Sequence, residues 1–128
     1  MNIPSELKYT PNDEWFNPAS GTVGITDFAQ EQLSDIVFVE VLVSEGDVVS
    51  KGDPCATVES VKAAADVYMP VSGKVIATNE ALPGAPETIN TDPYGAAWMV
   101  KVESSDPTEL DSLLEAGAYE TSTQTRAH

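Results

Sequence analysis

The sequence has very few of the residues that most catalytic and metal centres use. Among 128 residues there is one cysteine, Cys55, and one histidine, His128, at the last position. One cysteine excludes an internal disulfide and any zinc site built from several cysteines. One histidine excludes histidine metal clusters within a single chain, and because it is the last residue we expect no Ser-His-Asp triad either. No histidine lies near Cys55 in sequence, so we expect Cys55 to be a small buried apolar residue and not a nucleophile.

Basic residues are also scarce. Six Lys and Arg stand against 21 Asp and Glu, which gives a formal net charge of −15 and a pI near 4.1. Nucleic acids and anionic membrane surfaces are bound by clusters of Lys and Arg, which this chain cannot supply. We therefore expect neither as a partner. An acidic surface instead favours docking to proteins that carry basic patches.

Long apolar runs are missing too. No run approaches the roughly 18 residues of a transmembrane helix, and residues 1–10 lack the apolar segment of a secretory signal. A chain of 128 residues with 41% hydrophobic content suits one core. We expect a soluble cytoplasmic monomer with one domain over residues 1–120 and a polar, flexible tail over residues 121–128.

Short β-prone segments separated by turn residues fill most of the chain. The predicted strands are Thr22–Thr26, Ile36–Val43, Val48–Val49, Cys55–Val61, Ala65–Met69, Lys74–Thr78 and Trp98–Val102. Predicted short helices cover Phe28–Leu33, capped by Thr26 or Asp27, and Pro107–Leu114. The β-branched run from Ile36 predicts a strand buried on much of both faces, with Val37, Val39 and Val58 in the core. We predict a mostly β fold, a small β-sandwich/barrel hybrid with short peripheral helices.

Lys62 lies at the predicted tip of a hairpin, among the small residues Ser60, Ala63, Ala64 and Ala65. A lysine in a turn is usually only solvated. Here, however, the surrounding segments Gly46-Asp47, Lys51-Gly52-Asp53-Pro54 and Pro70-Val71-Ser72-Gly73 resemble the biotinyl/lipoyl attachment fold. In that superfamily a lysine on an exposed hairpin is acylated by a cofactor.

Within that superfamily, the segment Val58-Glu59-Ser60-Val61-Lys62 resembles the glycine cleavage system H-protein family. Other segments match this family in the same order: Tyr9-Thr10, Glu14-Trp15, Val23–Asp27, Ala29-Gln30, Asp35–Glu40, Asn79, Asn90, Asp92–Gly95 and Trp98. The resemblance covers roughly residues 7–119. The chain departs from the family at Asp13, where histidine is usual, at Ser34, where glycine is usual, and in the loops Asn17–Gly21 and Val41–Glu45.

The resemblance implies a non-catalytic carrier with lipoic acid attached to Lys62. The arm would take the aminomethyl group from glycine decarboxylase, a pyridoxal-phosphate enzyme, to aminomethyltransferase, and electrons to dihydrolipoamide dehydrogenase. It also implies that lipoylating enzymes act on the chain and that Glu59, with Asp66 nearby, helps partners to recognise the hairpin. A carrier that only relays lipoate, without the full glycine cleavage role, would give a similar sequence.

Two other functions would also use Lys62. A biotin carrier usually has methionines beside the lysine, and a dehydrogenase lipoyl domain usually has aspartate before it, whereas Val61 and Ala63 flank Lys62 here. A Schiff-base enzyme would need a lysine with a depressed pKa, which requires burial or a nearby cation. Glu59 and Asp66 are acids, and they favour the charged amine instead.

Overall fold

The structure is a computed structural model that describes residues 2–126. Within these residues it contains nine strands: β1 Lys8–Tyr9, β2 Glu14–Asn17, β3 Thr22–Ile25, β4 Ile36–Val41, β5 Val48–Val49, β6 Pro54–Ser60, β7 Ala64–Tyr68, β8 Gly73–Thr78 and β9 Val100–Ser104. The helices are α1 Asp27–Leu33, α2 Thr88–Thr91 and α3 Ala116–Arg126, with short 3-10 helices at Leu82–Gly84 and Pro107–Ser112. Over the same residues, no helix has the length and apolar character needed to cross a membrane.

The strands form two antiparallel sheets. The larger has the order β1-β2-β3-β9-β8-β5, and the smaller has the order β4-β6-β7. Val39 and Val58 from the smaller sheet join Val23, Val75 and Val100 from the larger sheet in one buried cluster. Each sheet contributes one face to this cluster, because a strand alternates its side chains between two faces, whereas Tyr9 and Trp15 of the larger sheet belong to a second buried cluster with Tyr119. This confirms the predicted mostly β fold with short helices at its margins, although the two sheets do not close into one barrel in the described part of the chain.

Strand β4 corrects one prediction about the core. Val39 and Val58 are 1% and 0% exposed, as predicted, but Val37 is 56% exposed. The register between β4 and β6 shifts between Ile36 and Phe38, which is a β-bulge. A bulge adds one residue to a strand and breaks the alternation of its side chains. Val37 and Phe38 are therefore exposed in succession, and the prediction that β4 is buried on much of both faces was wrong.

The C-terminal residues form an element that the sequence analysis did not predict. Residues 121–126, which were assigned to a tail, continue helix α3 in the structure. Tyr119 in this helix is fully buried and stacks on Tyr9, with ring centroids 4.7 Å apart. Thr123 is also fully buried. Residues 127 and 128, including His128, lie outside the described residues.

Candidate functional site at the Lys62 hairpin

Lys62 lies at the exposed tip of the hairpin that joins β6 to β7. The last paired residues of the ladder are Glu59 and Ala64, so the turn consists of the four residues 60–63. Lys62, Val61 and Ala63 are all exposed. The amine therefore stands at the end of a regular two-stranded support, with alanine and not a bulky residue on its C-terminal side.

Ser60 holds this turn closed. Its backbone N–H donates to the carbonyl of Ala63 at 2.7 Å. Its Oγ accepts the backbone N–H groups of Ala63 at 3.0 Å and of Lys62 at 3.3 Å. The same hydroxyl donates to the carbonyl of Ala63 at 3.1 Å. A serine hydroxyl that bonds to nearby backbone groups in this way is a standard means of stabilising a turn. Ser60 thus fixes the backbone that presents Lys62.

A second contact braces the turn from outside the hairpin. The N–H of Val61 donates to the carbonyl of Asp35 at 3.1 Å. Asn90 fixes the residues on both sides of Asp35. Its Oδ1 accepts the N–H of Ile36 at 2.9 Å, and its Nδ2 donates to the carbonyl of Ser34 at 2.9 Å. Helix α2, which carries Asn90, therefore fixes the short connection between α1 and β4, and this connection holds the tip.

Glu59 and Asp66 both lie on this hairpin, but they occupy different places. Both are exposed. Glu59 pairs with Phe38 on β4 and with Ala64 on β7, next to the turn. Asp66 pairs with Thr57, further from the tip. Among the side chains that the structure describes, neither acid forms an ion pair with Lys62. Their roles in recognition therefore stay predictions.

A cleft of about 170 Å³ lies beside the hairpin. Its lining includes Val58 of β6, the run Ala65–Val67 of β7, Leu33 of α1 and Glu14 of β2. Most of its surface is apolar, but Asp13, Glu14 and Asp66 bring three acids to it. Such a cleft can receive an apolar group that ends in a cation or a hydrogen-bond donor.

Glu14 is the most perturbed acid of this region. It is 2% exposed, and burial raises its pKa to about 7, although hydrogen bonds oppose the shift. The Thr10 hydroxyl donates to Oε1 at 2.5 Å, and the N–H of Tyr68 donates to Oε2 at 3.2 Å. The carboxyl group can therefore take up or release a proton near neutral pH.

Sequence reasoning found Lys62 but missed the residues that position it. Ser60 was noted only for its small size, although a serine three residues before Ala63 is a recognisable turn signal. Asn90 lies 54 residues from Ile36, so the sequence around either residue does not predict their hydrogen bond. Glu14 stands beside aromatic residues, and its local sequence does not predict that it lines the cleft. Cys55, by contrast, is fully buried as expected, and burial raises its pKa to about 12.

Comparison with known proteins agrees with this geometry. A family model described as Glycine cleavage H-protein matches residues 7–126. The chain belongs to this family. A glycine cleavage system H protein of Escherichia coli O139:H28 is 54% identical over 123 residues, which cover 94% of this chain and 95% of the relative. One from Shewanella sp. strain W3-18-1 is 55% identical over 122 residues, covering 93% and 94%.

A solved structure of the family has the same fold. The crystal structure of a glycine cleavage system H protein from Mycobacterium marinum superposes with a TM-score of 0.86 at 38% identity. The match covers 95% of this chain and 99% of the other. The family resemblance drawn from the sequence is thus confirmed, and so is the fold class.

Two departures from the usual family sequence coincide with unusual backbone. In the described residues, Asp13 and Ser34 are the non-glycine residues with positive φ, at 71° and 69°. Ser34 ends helix α1 with ψ of −150°, a combination that favours glycine. Because Asn90 binds the carbonyl of Ser34, the strained residue lies within the support of the Lys62 turn.

Proposed function

We propose that this H-protein family member is a carrier that holds lipoic acid in amide linkage on Lys62. The observation that carries the proposal is the exposed lysine on a turn that is fixed twice, by Ser60 from within and by the carbonyl of Asp35 from outside. A group attached to such a lysine extends into solvent from a defined point. The residues present fit the group, because Ala63 and Ala64 leave the space beside the amine open.

The chain supplies positioning in this function, and the reactive chemistry is supplied elsewhere. When bound, the lipoyl group offers a dithiolane that can accept an aminomethyl group from glycine decarboxylase and release it to aminomethyltransferase, with reoxidation by dihydrolipoamide dehydrogenase. The residues of this chain present the amine, keep the turn rigid and offer acids for docking. Lys62 is exposed, so it lacks the burial that makes a lysine a Schiff-base nucleophile. A non-enzymatic carrier therefore fits best.

The partners follow from the same proposal. Membership of the glycine cleavage family points to glycine decarboxylase, aminomethyltransferase and dihydrolipoamide dehydrogenase, together with the enzymes that attach lipoate. Each must approach Lys62 from the solvent side, past Glu59 and Asp66. We assign these two acids to partner recognition, because both are exposed on the hairpin. We further propose a cytoplasmic monomer with a single carrier domain, which includes helix α3 to its end at Arg126.

The attachment site is tested by intact-mass measurement after incubation with a lipoylating enzyme and lipoate. The wild-type chain should gain one lipoyl group, and Lys62→Arg should gain none, because a guanidinium is not acylated under these conditions. Lys74→Arg is the matched control, since Lys74 is also an exposed lysine but lies within strand β8 of the other sheet, and this variant should be modified like the wild type. A lipoyl adduct on Lys62→Arg would contradict the assignment.

A further inference from the structure

Three of the large apolar side chains that the structure exposes lie on β4 or in the lysine turn, and a fourth, Leu42, directly follows β4. Val61 is 67% exposed, Val37 56%, Leu42 47% and Phe38 45%. Three of them adjoin the register pair Ile36↔Ser60, at the end of the sheet that carries Lys62. We name Val37, Phe38 and Val61 the β4 patch. Exposed apolar residues that cluster in this way mark interaction surfaces more often than isolated ones do.

The β-bulge is what creates this patch. Without it, Val37 or Phe38 would face the core, because successive side chains of a strand point to opposite faces. With the register shift between Ile36 and Phe38, both side chains are exposed. Leaving two apolar side chains in water opposes folding, whereas bulges near functional sites commonly re-aim side chains. The exposure of both residues beside Lys62 therefore indicates that another molecule binds to them.

We infer that the β4 patch is the surface on which a lipoylating enzyme docks while it acylates Lys62. The inference rests on the proposed function and specifies where the enzyme binds. Asp35, Glu40 and Glu59 are exposed around the patch, and Glu59 pairs directly with Phe38. An apolar centre with a charged rim is the usual anatomy of a transient interface. The matching enzyme surface has an apolar recess bordered by Lys or Arg.

The charges disfavour a second copy of this chain as the occupant. A twofold contact through the β4 patch would bring the acids of one rim against the same acids of the other. The chain as a whole carries −15, so no excess of basic residues offsets that repulsion. An enzyme with a basic rim gains from the same charges. The patch is also continuous with the Lys62 turn, so an enzyme that reaches the amine necessarily covers Val61. This favours an enzyme as the occupant.

The test is steady-state lipoylation of the unmodified protein by a purified lipoate–protein ligase. Phe38→Ser should raise the KM for the protein about tenfold and leave kcat nearly unchanged, because the aromatic ring that the docked enzyme would cover is lost while Lys62 stays in place. Phe38→Tyr, which keeps the ring, should stay close to the wild type. Val48→Ser is the matched control, because Val48 is 84% exposed but lies on β5 of the other sheet.

The outcomes separate this inference from the proposed function. No lipoyl group on the wild-type chain would overturn both. Normal modification with an unchanged KM for Phe38→Ser, or an equal rise for Val48→Ser, would overturn the docking surface alone. So would a wild-type dimer that Phe38→Ser dissociates in sedimentation, which would assign the patch to a second copy. A rise in KM confined to glycine decarboxylase would likewise contradict the assignment to the lipoylating enzyme.

Discussion

At the scale of single residues, Glu14 links the cleft to the stability of the whole chain. Its pKa is about 7 in the folded protein and 4.5 in the unfolded chain. Between these values the folded state holds a proton that the unfolded state has released. Raising the pH through this window therefore lowers the free energy of unfolding. The difference between the two pKa values corresponds to a loss of about 3 kcal/mol.

Glu14→Gln should remove this pH dependence, because an amide does not titrate. We expect the free energy of unfolding of the wild type to fall between pH 5 and pH 8 relative to that of Glu14→Gln. Denaturant unfolding at several pH values measures the difference. Glu40→Gln, at an exposed position on β4, is the control and should keep the wild-type slope. Parallel curves for the wild type and Glu14→Gln would show that Glu14 is ionised in both states.

At the scale of elements, the lysine turn depends on one hydroxyl. Ser60→Ala removes the acceptor for the N–H groups of Lys62 and Ala63, and such a loss costs about 1 kcal/mol. We expect faster amide hydrogen exchange at Lys62 and Ala63, together with slower lipoylation, and a melting temperature lowered by only a few degrees. Ser60→Thr keeps the hydroxyl and should restore both properties. Unchanged exchange in Ser60→Ala would mean that the ladder and the Asp35 brace suffice.

The sequence predicts elements well where a local pattern accompanies a turn signal. A helix was predicted over Phe28–Leu33 with Thr26 or Asp27 as its cap, and α1 spans Asp27–Leu33 with Thr26 as the cap, whose hydroxyl accepts the N–H of Ala29. Helix α3 was missed because Ala116–Arg126 contains three threonines and one glycine, which are weak helix formers, and Tyr119 is its one buried aromatic residue. Strand β2 was missed because it forms by pairing with β1 and β3, and its four residues alone carry no signal for that pairing.

The candidate site divides in the same way. Lys62 was found from its position among small residues and from the family resemblance. The bulge that exposes Val37 was not, because a β-branched run gives no sign of a register shift that depends on the facing strand. The hydrogen bond from Ile36 to Asn90 joins residues 54 positions apart, and a single sequence carries no signal for such a contact.

At the scale of the whole molecule, the net charge of −15 should govern the rate at which partners associate with the protein. Charge attraction mostly raises association rates, and salt screens it over roughly 8 Å at physiological ionic strength. The KM of glycine decarboxylase for the lipoylated protein should therefore rise with ionic strength. Free lipoamide, which carries no protein charge, is the control substrate and should show little change. A KM independent of salt would mean that shape and apolar contact bring the partners together.

The central claim is that Lys62 holds the group that glycine decarboxylase uses. The most direct measurement is glycine-dependent exchange of labelled carbon dioxide by purified glycine decarboxylase, with this protein added in lipoylated form, in unmodified form or as Lys62→Arg after the same lipoylation treatment. The account predicts that the lipoylated wild type supports exchange and that the other two leave it at the level of the enzyme alone. Equal exchange with Lys62→Arg, or none with the fully lipoylated wild type, would contradict it.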